Sequence, residues 1–375
     1  MMKNISPFYL DLTIKERERL QKSFRKIIDS GQLILGKYTE EFEDNFAAYC
    51  GSKFAISLNS GTSALETMLI YYNIKGKKIA VPTNTNFASV VTILRNGGRP
   101  IFLDMEPEYF TPSLDNLKDI KKKYDIDGLM WVHIAGIISP EFDQIVAYCK
   151  SKKILLIEDC AHAHGSKFQN KHAGTFGVGG AFSFFPTKVM TTMEGGMITT
   201  NDKELAKIAK SIRNQGKRDG NFGGLHYDMG SSWRLSELSA CIGIIQLSKL
   251  DKMISTRTKY ANKLSKVANK YGIPCCSTSH MDSASNYKLI MLLESETEAI
   301  NFKKKALENG IVFGGGVYEI PCHMHPVFKK IRYKSHEVAN AEKYCPRHVC
   351  PPITSGTNEK DISRIINFVK KYYND

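Results

Sequence analysis

Three short stretches of this 375-residue chain hold residue types that can do chemistry, each at the end of an apolar run. In "FSFFPTKVMTTMEGGMIT", residues 182–199, Lys188 sits in a polar break between two apolar runs. A lysine between core strands is costly to bury as an ammonium, so burial lowers its pKa and frees a nucleophilic amine. Imine chemistry requires such an amine. The plainer reading, a loop lysine snorkelling to solvent, suffices for an isolated lysine. In "NSGTSAL", residues 59–65, Gly61 permits a tight approach, and Thr62 and Ser63 open a helix. Free N–H groups and the helix dipole there suit a phosphate. Ser63 and Glu66 equally fit an ordinary capping box. In "LLIEDCAHAHG", residues 155–165, two acids end an apolar run, so at least one of them points into the crevice at the strand's C-terminal end. Cys160, His162 and His164 have no companions at a recognisable metal spacing, and no metal centre is expected.

A phosphate site, a crevice Asp and a loop Lys are the protein groups that pyridoxal 5′-phosphate requires. The lysine bonds its aldehyde, and the Asp keeps the pyridine nitrogen protonated so that the ring takes up carbanion charge. Phe87, in "PTNTNFAS", follows a strand and is placed either to stack on that ring or to pack in the core.

The elements that must position these residues alternate through the first two-thirds of the chain. Apolar runs at 54–59, 77–83, 99–104, 128–134, 153–159 and 181–185 are separated by helical patterns. The class is α/β, with a mostly parallel sheet covered on both faces by helices. From Arg234 to about Lys270 the pattern is helical. Strand-like "SNYKLIMLLES" (285–295), a helix through "AINFKKKALENG", "IVFGGGVYEIP" and a last helix through "NEKDISRIINFVKKYY" then suggest a smaller α+β lobe. The expected division is 1–250 and 251–375.

Composition narrows the partners. Lys and Arg number 52 against 38 Asp and Glu, a net charge of +14 that favours polyanions. The lysine clusters are scattered beside helix and turn patterns, as solvated faces are. No zinc-finger, basic-zipper or RNA-binding motif accompanies them, so phosphorylated small molecules are expected rather than nucleic acid. Nine cysteines without a CxxC pair read as reduced thiols, which suits the cytoplasm. No leader-like h-region and no stretch near 18 apolar residues occurs, so neither secretion nor a membrane span is expected.

The order and spacing of these motifs resemble the DegT/DnrJ/StrS-type aminotransferases, vitamin B6 enzymes that aminate keto sugars, usually nucleotide-linked ones. The resemblance runs from "GQLILGKYTEEFEDNFAAYCG" through "NSGTSAL", "NTNFASVVTILRNGGRPIFLDM", "WVHIAG", "IEDCAHAHG" and "FSFFPTKVMTTMEGG". It continues through "IRNQGK" and "MGSSWRLSELSACIGIIQL" to "YEIPCHMHPVF". It implies the aspartate aminotransferase-type fold (PLP fold type I) and a homodimer with each active site at the subunit interface. By the same resemblance Lys188 is the cofactor-bonding lysine and proton carrier, and Asp159 the pyridinium partner. Gly61, Thr62, Ser63 and Ser183 are phosphate contacts, and Phe87 is the stacking aromatic. His162 stands where the family commonly has Gln and faces the cofactor's 3′ oxygen. Ser232 replaces an Asn that reaches the neighbouring subunit's phosphate, and Met193 replaces the Gly before "EGG". Arg234 is a candidate for the amino donor's carboxylate, or for a structural salt bridge. His323 is a candidate at the site mouth, or a loop-packing residue.

The activity implied is a two-stage transamination from L-glutamate to a keto sugar. A non-nucleotide sugar, a keto-octulosonate or a cyclitol remains an alternative acceptor. The related sugar dehydratases carry His in place of the lysine, so Lys188 argues against that branch. A non-catalytic regulatory relative would lack Lys188 or Asp159.

Overall fold

In the computed structural model, which describes residues 4–218, 224–313, 316–331 and 335–374, the apolar runs form one seven-stranded sheet. Its strands are β1 (Phe54–Leu58), β2 (Lys78–Pro82), β3 (Arg99–Leu103), β4 (Gly128–Val132) and β5 (Leu155–Asp159). After a small hairpin of β6 (Lys167–Phe168) and β7 (Lys171–His172) come β8 (Gly179–Ser183) and β9 (Gly196–Thr200). The spatial order is β1-β9-β8-β5-β4-β2-β3. All neighbours from β8 to β3 pair in parallel, whereas β9 runs antiparallel to both β8 and β1. The sheet is thus mostly parallel, as expected, with β9 the antiparallel member. The reason lies in the connection. A loop, not a crossover helix, joins β8 to β9, and such a link can only reverse the chain.

Helices α1 (Ile14–Ser30) and α2 (Lys37–Cys50) precede the sheet, and α3 (Gly61–Tyr71), α4 (Phe87–Arg95), α5 (Leu114–Tyr124) and α6 (Phe142–Ser151) connect its strands. They are followed by α7 (Lys203–Arg213), α8 (Glu237–Leu247) and α9 (Leu250–Lys270). The side chains of Ser60, Asn86, Ser113, Asp202 and Ser236 each accept a backbone N–H at the start of α3, α4, α5, α7 and α8. These caps fix where each helix leaves the sheet edge. Alternation along the strands fills both faces. On β4, Leu129 and Trp131 enter one apolar cluster and Met130 the other, and on β5 Leu156 and Ile157 divide likewise.

A third cluster is built from α9, α10 (Glu296–Glu308) and α12 (Glu359–Asn374), with α11 (Ala339–Tyr344) before the last of these. Ile5 joins it and bridges to Ile311. The strand expected over 285–295 shrinks to β10 (Met291–Leu292), paired with β11 (His348–Val349). Asn286 adopts φ +46, which breaks the extended run and turns the chain inward. Within "IVFGGGVYEIP", Gly314 and Gly315 lie outside the described residues. Among the described residues no helix is long and apolar enough to cross a membrane.

Candidate active site

Strands β1, β5 and β8 point the same way, so their C-terminal ends share one edge of the sheet, and there a cavity of about 260 Å³ opens. Register decides which of the two acids faces it. Glu158 turns to the opposite face, where it accepts the N–H groups of Gly174, Phe176 and Gly177 and pairs with His133 at 2.9 Å. Asp159 lines the cavity, accepting the Ser89 hydroxyl at 2.7 Å and the Ala161 N–H at 3.1 Å. Burial raises its pKa, opposed by those two donors and by the charge of Lys188.

Lys188 also lines the cavity, from the loop between β8 and β9. That loop is closed on itself, with Phe184 N–H to the Gly195 carbonyl at 2.8 Å and Thr192 N–H to the Phe184 carbonyl at 3.1 Å. Burial lowers the Lys188 amine to about 8, Asp159 opposes the shift, and Lys288 adds to it. The polar break in the sequence thus delivers an amine that gives up its proton far more readily than an exposed lysine, with a neutral fraction that grows as pH rises toward 8.

The start of α3 forms another wall. Ser60 is the capping residue: its hydroxyl accepts the Ser63 N–H at 3.1 Å while Ser63 Oγ accepts the Ser60 N–H at 3.2 Å. The capping box expected at Ser63 and Glu66 is corrected accordingly; Glu66 instead faces Arg95. Gly61 and Thr62 line the cavity, and their N–H groups have no intrahelical acceptor. Ser63 is consumed by the cap and does not line it. At Gly61 a Cβ would fall 2.8 Å from the Ser183 Cβ, so glycine alone lets α3 approach the end of β8, and Ser183 lines the same wall.

His162 lines the cavity beside Asp159. Its Nδ1 accepts the Ala135 N–H at 3.2 Å, which leaves the proton of the neutral ring on Nε2, 3.3 Å from the Tyr318 hydroxyl. Burial, reinforced by Lys188, holds its pKa well below the ordinary value, so the ring is uncharged. Cys160 lies with His133 and Glu158 in a group of potential metal ligands, but both Glu158 oxygens already accept hydrogen bonds there.

Besides Ser63, four expected residues lie outside the lining: Phe87, Ser232, Arg234 and His323. Phe87, 45% exposed, stacks on Phe328 with centroids 5.5 Å apart, and Tyr318 and Phe185 are the aromatic residues of the cavity. As the first residue of α4, Phe87 projects from the helix start, while its neighbours Asn86 and Ala88 face inward. Arg234 donates to Ser232 Oγ at 2.5 Å and to Asn214 Oδ1 at 3.1 Å, both neutral groups rather than a carboxylate. His323 is buried, with Nδ1 2.6 Å from Thr83 Oγ1 and Nε2 3.1 Å from Glu342. Ser89, Tyr318 and Tyr287 escaped sequence reasoning because each reaches the site through a contact distant in the chain.

Met193 keeps a left-handed turn at φ +71, its side chain 54% exposed. A side chain in that conformation costs roughly 1–2 kcal/mol. Met193→Gly is therefore expected to stabilise the protein by up to about 1 kcal/mol, after the glycine's greater freedom when unfolded is subtracted. Urea midpoints measure this, and a lowered midpoint would show that the methionine side chain outweighs its strain.

The DegT/DnrJ/EryC1/StrS aminotransferase family model matches residues 14–370. The chain is 30% identical to GDP-perosamine synthase of Escherichia coli O157:H7, covering 100% of each. It is 31% identical to dTDP-3-amino-3,6-dideoxy-alpha-D-galactopyranose transaminase of Aneurinibacillus thermoaerophilus, covering 97% of this chain and 99% of the relative. An aminotransferase structure from Psychrobacter cryohalolentis superposes with TM-score 0.90 at 23% identity, over 98% of this chain and 99% of that one, which shows the shared fold. With a matching family model over nearly its whole length, and a lysine and an aspartate in one crevice of that fold, the chain belongs to the DegT/DnrJ/EryC1/StrS family and is an aminotransferase.

Proposed function

We propose that the enzyme binds pyridoxal 5′-phosphate at this cavity and moves the amino group of L-glutamate to a keto sugar, in particular a nucleotide-linked one. The observation that carries the reading is the convergence of Lys188, Asp159 and the open start of α3 on a single cavity. The residues fit the cofactor: donors for a phosphate at one wall, a carboxylate for a protonated ring nitrogen, and a lysine with a lowered pKa. When bound, the cofactor supplies an electron sink for the charge left on the substrate carbon.

The chain's own groups do the rest. The N–H groups of Gly61 and Thr62, with the hydroxyls of Thr62 and Ser183, hold the phosphate. Asp159 stays ionised against the ring nitrogen, helped by its two donors. Neutral Lys188 would take a proton from the donor's α-carbon at Nζ and would deliver it to the cofactor carbon that carries the nitrogen, C4′. His162 offers its Nε2–H toward the cofactor's 3′ oxygen, with Tyr318 beside it.

The acceptor is argued from the relatives, both named for nucleotide sugars, and from the +14 charge, which favours a diphosphate. In this reading two chains pair and complete each other's sites. Phe185, Met193 and Ile320, all more than 40% exposed, belong to the cavity lining or to chain close to its lining residues, and apolar surface of that kind suits a partner. Ser232 and Arg234, which do not line this chain's own cavity, are then candidates for the partner's cofactor phosphate and for the donor carboxylate. The nine cysteines are free thiols, which suits a cytoplasmic enzyme.

The test is a pair of half-reactions on cofactor-loaded protein. Glutamate should bleach the visible-edge absorption band, and a nucleotide keto sugar should restore it. A band restored only by 2-oxo acids would refute the sugar acceptor, and a band unmoved by glutamate would refute the donor.

A further inference from the structure

Tyr287 enters the site from the C-terminal third of the chain. The residue is 8% exposed and meets His162, Lys188, Thr187 and Lys288, whose Nζ lies 5.4 Å from the ring centroid. The ring stacks on His162, centroids 4.3 Å apart and planes 24° from parallel. Lys188 Nζ lies 5.0 Å from the same ring's centroid. The hydroxyl is 3.2 Å from Oγ1 of Thr187, the residue before that lysine.

The segment carrying Tyr287 is fixed from several sides. Ser285 Oγ donates to the His162 carbonyl at 2.6 Å. Opposite it stands Gly136, where a Cβ would come within 1.8 Å of that hydroxyl, so the close approach requires glycine. Asn286 is held at φ +46 while its Nδ2 donates to Thr258 Oγ1 at 2.8 Å, and Arg257 donates to the Tyr287 carbonyl at 3.4 Å. A left-handed non-glycine residue persists only where its surroundings over-determine it, and such positions cluster at functional sites.

We propose that Tyr287 is a positioning residue: its ring face holds the protonated Nζ of Lys188, and its hydroxyl steadies the loop that carries this lysine. The proposal rests on the reading of Lys188 as the reactive amine. The face of an aromatic ring attracts an ammonium and not a neutral amine, so the contact favours the protonated form and raises the lysine's pKa against burial. The other groups facing Nζ are Asp159 from the end of β5, which also raises it, and Lys288, which lowers it. His162, on the loop after β5, is uncharged. A lysine that must alternate between neutral base and ammonium is thereby kept in one place in its charged state.

The experiment uses the full-length, cofactor-free protein. The rate at which an amine-directed acylating reagent modifies Lys188 is followed against pH by peptide mass spectrometry. The native protein should show a midpoint near 8. Tyr287→Phe should leave the midpoint in place, while Tyr287→Leu should lower it by about half a unit to one unit. If the leucine variant melts early, Tyr287→Met supplies similar bulk without a ring. A midpoint unchanged or raised in the ring-less variant would overturn the proposal, as would a fall in Tyr287→Phe equal to that in Tyr287→Leu. These midpoints need no cofactor, so a failure of the cofactor reading would appear separately, in covalent labelling of the loaded enzyme.

Discussion

Lys188→Ala is expected to lower turnover by at least about four orders of magnitude while the protein stays folded. The loss is large because one group both bonds the cofactor and moves the proton, and no other lysine lines the cavity among the described residues. The fold should survive because burial already disfavours the Lys188 ammonium, so truncation removes a charge the site holds at a cost. The loop is kept by backbone hydrogen bonds between Phe184, Thr192 and Gly195, which the substitution leaves alone. Steady-state turnover together with a urea midpoint checks this. Turnover near the native rate would remove Lys188 from the reaction, and loss of the folded state would make it a structural residue.

Asp159→Asn should reduce turnover by about a thousandfold with the urea midpoint unchanged or slightly raised. The amide oxygen can keep the Ala161 N–H while its NH2 donates to the Ser89 hydroxyl, which can turn to accept, but it carries no charge to hold a protonated ring nitrogen. Its burial penalty also falls, since the native carboxylate is desolvated and its pKa raised. The adjacent residue provides the contrast. Glu158→Gln replaces an acceptor of three backbone N–H groups by an amide that cannot accept them all, and should cost about 2–4 kcal/mol of stability. Two neighbouring acids on one strand thus give opposite outcomes, one catalytic and one structural. Kinetics and unfolding of both variants measure the separation, and equal loss of stability in the two would contradict the assignment of faces.

Much of the frame was legible because it follows from period and punctuation. The apolar runs at 54–59, 77–83, 99–104, 128–134 and 153–159 became strands within a residue or two of those bounds. Lys188 was legible as a polar residue between two buried strands, and Gly61 as the glycine of a tight approach. What stayed hidden depends on contacts between distant segments. Whether Glu158 or Asp159 faces the crevice is a matter of register with β4 and β8. The His162 tautomer is set by the N–H of Ala135, and the Asp159 carboxylate is held by a hydroxyl on α4. Tyr287 looked like one more residue of a strand, because the φ that turns it inward at Asn286 leaves no trace in hydrophobic periodicity. The same limit explains Phe87: spacing put an aromatic ring near the site, but its side chain stacks on Phe328 instead.

The account depends on Lys188 bonding the cofactor, and borohydride reduction tests that most directly. Protein loaded with pyridoxal 5′-phosphate is reduced, digested and mapped by mass spectrometry. The prediction is a single pyridoxyl label on the peptide containing Lys188, accompanied by loss of the visible-edge absorption band. A label on another lysine, with Lys188 unmodified, would contradict it.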